Sequence, residues 1–97
     1  MKEFILLMHA DTTEREHDAD WEDYIGRLIA EGIFQGGSSM GEGQVFRKHG
    51  QPAALTRHLV GYIKIQAEDL EAARAYLAGN PTYEAGGTVE IRELVEG

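Results

Sequence analysis

A histidine and a carboxylate two residues apart, His9 and Asp11, stand where the apolar run Phe4 to Met8 gives way to polar residues. Imidazole changes charge near neutral pH, so at the end of a buried strand and beside a carboxylate it has what proton transfer requires. If the strand continues that far, the two side chains share a face. His9 would then act as base and Asp11 would orient its ring. The plainer reading is a histidine satisfied by loop backbone, with Asp11 starting a turn that Thr12 and Thr13 extend. His58 opens a second apolar-polar alternation and is a candidate second base or ligand contact, against a cross-strand surface or interface role. His17 and His49 sit among charges and read as solvated.

Other constellations carry less. Gly37-Ser38-Ser39-Met40-Gly41 matches the G-x-S-x-G nucleophile elbow by letter. An elbow needs a strand, a sharp turn and a helix beneath a large parallel sheet, whereas Glu42-Gly43-Gln44-Val45-Phe46 reads as a hairpin in a short chain. Gly36 and Gly41 have phosphate-loop spacing, but Glu42 stands where the lysine belongs and would repel a phosphate. His9, Asp11 and His58 are metal-competent residue types without H-x-H or H-E-x-x-H spacing, so no metal site is expected. Trp21 heads a helical apolar stripe and reads as core, with an aromatic wall for a ligand as its functional alternative. Asn80, Tyr83 and Glu84 read as a tight helix-to-strand connection.

The elements that must position these residues follow from apolar period. Residues 3–8 form a strand. From Asp18 or Asp20, the recurrence of Trp21, Ile25, Leu28 and Ile29 predicts a helix that Gly32 ends. Residues 33–40 predict a strand, followed by a glycine-rich hairpin carrying Val45-Phe46. Residues 58–65 alternate, with Leu59, Gly61, Ile63 and Ile65 on one face and His58, Val60, Tyr62 and Lys64 on the other. Asp69 caps a second helix with Leu70, Ala73 and Leu77 inward, closed by Gly79 and Pro81. The last strand, 88–94, turns Val89 and Ile91 inward. This is an α+β chain of split β-α-β type, with a mainly antiparallel sheet and two helices on one face.

Two helices leave one sheet face bare. Phe4, Leu6 and Met8 of the first strand face one way and Ile5 and Leu7 the other, so both faces want cover. About four to six apolar side chains, Val60 among them, stay bare at about 1.5–3 kcal/mol each, a sum comparable with the stability of a small domain. A second copy packing sheet against sheet removes the deficit, so the expected partner is the chain itself, as a homodimer.

Composition bounds the rest. Ninety-seven residues make one domain, 1–97, that buries roughly 65% of its extended surface. Nine basic against seventeen acidic residues give a formal net charge of -8, which argues against nucleic acid as a partner. An anionic ligand would need local positive charge such as Arg57 or Arg92. There is no cysteine, hence no disulfide and no thiol nucleophile. Phe4–Met8, the longest apolar run at the N-terminus, falls far short of the ~20 residues of a membrane span, so a cytoplasmic protein without a membrane partner is expected.

Met8-His9-Ala10-Asp11, Trp21, Gly36-Gly37-Ser38-Ser39 and the tail from Leu77 to Arg92, including Asn80-Pro81-Thr82-Tyr83-Glu84-Ala85-Gly86-Gly87-Thr88-Val89-Glu90-Ile91, resemble the YCII-related family over nearly the whole chain. The resemblance implies a ferredoxin-like dimeric α+β barrel, and it implies enzymatic chemistry at a histidine and aspartate pair, which maps onto His9 and Asp11. Many relatives of the wider group carry Asp-Gly-Pro-Phe where this chain reads Lys48-His49-Gly50-Gln51-Pro52-Ala53, and others carry His-Pro where it reads Asn80-Pro81.

The expected function is that of a small homodimeric enzyme needing no cofactor, which performs acid/base chemistry of isomerase or lyase type on a small, partly apolar molecule. His9 and Asp11 would be catalytic, and Trp21, Ser38, Ser39, His58 and Asn80 would contact the ligand. The alternative is a non-catalytic ligand-binding or accessory module.

Overall fold

The computed structural model describes residues 1–96. Along the chain run β1 (Lys2–His9), α1 (Asp18–Ala30), β2 (Phe34–Ser39), β3 (Leu59–Ala67), α2 (Leu70–Ala75), α3 (Pro81–Glu84) and β4 (Val89–Leu94). The four strands lie in the order β2-β3-β1-β4, and each neighbouring pair is antiparallel. Each helical crossover therefore joins two parallel strands with a strand of the other unit between them. This is the ferredoxin-like α+β arrangement expected from the alternation.

Strand period decides which residues meet the helices. Phe4, Leu6 and Met8 of β1 and Ile63, Ile65 and Ala67 of β3 are buried, and they pack with Tyr24 and Leu28 of α1 and Ala73 of α2. Their neighbours in sequence point the other way, and no helix among the described residues covers them. Leu7 lies there between Tyr62 and Glu90, and Ile5 between Lys64 and Arg92.

Local chemistry sets the helix ends. Asp18 and Asp20 lie in the first turn of α1 and Arg27 in the last, each opposite in sign to the helix terminus it faces. Gly32, at φ 76°, lets the Gly32 and Ile33 amides fold back onto the Ile29 and Leu28 carbonyls at 2.9 and 3.2 Å, the Schellman closure that glycine permits. The Asp69 carboxylate caps α2 by accepting from the Ala72 amide at 2.8 Å, as its position foretold.

Four expectations are corrected. Residues 40–58 form no hairpin: they run without regular structure, and Phe46 is 86% exposed. Glycines and charges there supply neither alternation nor a partner strand for Val45-Phe46. Ile29 is 58% exposed, because the buried stripe of α1 runs through Tyr24 together with the expected Leu28. Leu70 likewise points outward, leaving Ala73 as the buried residue of α2. The Asn80 connection holds an unforeseen helical turn, α3, with Pro81 at its start and Asn80 accepting from the Tyr83 amide at 3.0 Å.

Candidate functional site

His9 ends β1 on the uncovered sheet face, tied on both sides. Its amide donates to the Thr88 carbonyl at 3.0 Å, and the next amide, Ala10, donates to the His58 carbonyl at 2.8 Å. The side chain is half-buried. Nε2 lies 3.2 Å from Glu90 Oε1, and the His58 ring stands 5.1 Å away between centroids, tilted by 57°. The second Glu90 oxygen is 3.8 Å from the Arg92 guanidinium. Two imidazoles, a carboxylate and a guanidinium thus gather at one end of the sheet. Such a group can accept, hold and return a proton.

The carboxylate touching the ring is Glu90, not Asp11. Each Asp11 oxygen accepts one hydrogen bond from Thr88, which donates its amide at 2.7 Å and its hydroxyl at 2.6 Å. The Thr88 hydroxyl, and then its amide, hold the Asp11 carboxyl below its ordinary range. Asp11 therefore pins the end of β1 to the start of β4, two residues from Glu90. Neither Asp11 oxygen hydrogen-bonds the His9 ring. Gly86, at φ 85°, makes the turn that brings Thr88 there, and a Cβ on Gly87 would come within 2.8 Å of both Thr12 and Thr82.

A cleft of about 550 Å³ opens beneath α1, over β2 and β3. Trp21, Ile25 and Phe34 give it apolar walls. Its floor is low because Gly37 and Gly61 carry no side chain: a Cβ at Gly37 would fall 2.6 Å from the Tyr62 carbonyl oxygen. Ser38 and Ser39 border it, as does Glu16. The Glu16 carboxylate is fixed by the Trp21 indole N–H at 2.7 Å and the buried Thr82 hydroxyl at 3.1 Å. The segment carrying Glu16 is held in turn by the Thr13 and Glu14 amides, both donating to the Ala85 carbonyl at 2.9 and 3.0 Å.

Of the ligand contacts expected from sequence, Trp21, Ser38 and Ser39 meet at this cleft. His58 does not border it and stands beside His9. Asn80 is fully buried as the cap of α3, out of a ligand's reach, because its side-chain oxygen satisfies backbone at a helix start. His9 and Asp11 lie outside the cleft as well. Two residues escaped the sequence reading. Glu90 was legible in principle, since Val89 and Ile91 facing inward turn it to the same face as His9. Glu16 carried no signal, because its place depends on a loop folding against α3.

The family model of the YCII-related domain matches residues 2–96. The chain belongs to that family. Among solved structures, the YCII-related fold of this chain is similar to that of 5-chloro-2-hydroxyhydroquinone dehydrochlorinase from Burkholderia phenoliruptrix AC1100, in complex with 2,5-dihydroxybenzoquinone. The two share 12% identity over 98% of this chain and 95% of the other, with a TM-score of 0.50, a likeness of fold. No curated protein matched the chain. No helix among the described residues is long and apolar enough to cross a membrane.

Proposed function

We propose that this YCII-related protein is a small cytoplasmic, homodimeric enzyme that moves a proton on a small, partly apolar molecule, in a reaction of isomerase or lyase type. His9 is the proton-transferring group, Glu90 the carboxylate that pairs with it, and Asp11 the positioning residue that fixes the strand ends through Thr88. The observation that carries the reading is the half-sheltered His9 ring 3.2 Å from Glu90, on the sheet face that also presents Ile5 and Leu7. A second sheet over that face would remove the apolar residues from water and enclose the two histidines. The dehydrochlorinase of similar fold, an enzyme by its name, adds an associational argument for catalysis.

The test is solvent exchange. A panel of small cyclic compounds with acidic C–H bonds is incubated with the protein in heavy water, and deuterium incorporation is followed by NMR. Wild type should exchange at least one compound, with His9→Gln slower by on the order of 10²–10⁴ and Glu90→Gln intermediate. Equal exchange by wild type and His9→Gln would refute the assignment. A second reading, a non-catalytic ligand-binding module, is favoured by one specific observation: the cleft beneath α1 contains no histidine.

A further inference from the structure

We infer that the cleft beneath α1 is selective for a small cyclic molecule bearing an amine or similar cationic donor, with Glu16 as the group that selects it. The inference is independent of proton transfer at His9, which lies elsewhere. A volume of about 550 Å³ is within the usual range of small-molecule sites. Trp21, Ile25 and Phe34 offer flat and aliphatic walls for a ring.

Charge decides the rest. The Glu16 carboxylate is oriented by two neutral donors, one on each oxygen. A carboxylate has about four lone-pair directions, so two remain for a ligand. Neutral donors fix its direction without cancelling its charge, and Glu16 makes no ion pair with any cationic side chain among the described residues. The other charged residue at the cleft is Asp18, also an acid. Arg57 and Arg92, the cations that could have welcomed an anion, do not border it. A cationic donor entering beside Trp21 would meet a preset carboxylate, whereas an anion would meet two like charges.

The chain has one tryptophan, so its fluorescence reports on this cleft. Benzylamine, benzyl alcohol and benzoate, which share a ring and differ in charge, are titrated while Trp21 emission is followed. Benzylamine should bind on the order of tenfold tighter than benzoate, with benzyl alcohol between. Glu16→Gln, with its fold checked by far-UV circular dichroism, should bring the three together. Should that variant not fold, high salt on the wild type should compress the same difference. His9→Gln should leave the order unchanged, which separates this result from the fate of the catalytic reading. Benzoate binding as tightly as benzylamine, an order that survives both Glu16→Gln and salt, or no change of emission with any probe would overturn the inference.

Discussion

Removing a single oxygen from Tyr24 tests how the helical layer is held over the sheet. The ring is 3% exposed and stacks edge-on against Trp21 at 6.0 Å between centroids. Its hydroxyl donates to the Tyr76 carbonyl at 2.7 Å, tying α1 to the end of α2. Tyr24→Phe keeps the ring, its packing and its contact with Trp21, and deletes that tie. Tyr76 is half-buried, so its abandoned carbonyl recovers only part of its hydration, and the loss should be about 1–2 kcal/mol. For a domain of this size that is a fall in Tm of roughly 4–15 °C. Burial pushes the Tyr24 phenol above its ordinary value, and this adds a signature in pH. A phenol held neutral in the folded state contributes its full stability below the unfolded pKa of about 10, and loses it as pH rises through the folded value. Wild type should therefore weaken on the alkaline side more steeply than Tyr24→Phe, and the gap between them should narrow there. Urea unfolding of both proteins at one protein concentration, near pH 7 and then stepwise above about pH 10, measures both effects. A variant equal to wild type at neutral pH, or a gap that does not change with pH, would refute the reasoning.

Three further outcomes are expected. The lowered Asp11 pKa contributes stability that is present above the unfolded carboxylate value of about 3.9 and is lost as pH falls through the folded one; acid unfolding of Asp11→Asn should lack that loss. Gly37→Ala places a Cβ against the Tyr62 carbonyl, which backbone cannot easily yield, and should cost about 1–3 kcal/mol by thermal unfolding while weakening probe binding at the cleft. Leu7→Glu puts a charge at the centre of the uncovered sheet face and should convert a dimer to a folded monomer in sedimentation velocity. A wild type that sediments as a monomer at every concentration would remove the dimer from the proposal.

What could be read in the sequence was whatever period and turn chemistry determine. The alternation in β1 and β3 correctly divided Phe4, Leu6 and Met8 from Ile5 and Leu7, because a two-residue repeat admits one assignment of faces. Gly32 and Asp69 were legible because a positive φ and a capped amide demand particular residues. Helix faces were less so: choosing Ile29 over Tyr24 treated tyrosine as polar, although its hydroxyl finds a carbonyl inside and its ring fills the core. At the site the limit was pairing across the fold. Asp11 is near His9 in sequence, yet its short side chain reaches the Thr88 amide and hydroxyl, groups that arrive from β4. Glu90 is 81 positions from His9, and only the β1–β4 register brings it to the ring.

Met8 and His9 show how one strand can serve both candidate sites. They are adjacent in sequence, and strand geometry sends their side chains to opposite faces, Met8 to the cleft under α1 and His9 to the uncovered face. The β1–β3 pairing is regular from Lys2 to Met8 and slips between Met8 and His9, so that His9 pairs with Leu59. Irregularities of this kind re-aim a side chain and end a ladder. Here the slip brings the rings of His9 and His58 together while leaving Met8 opposite Gly61, whose missing side chain keeps the cleft open. A substitution that restored regular pairing would keep Met8 opposite Gly61 but set His9 opposite Val60 instead of Leu59, so the irregularity belongs to the arrangement of the histidine site and spares the cleft.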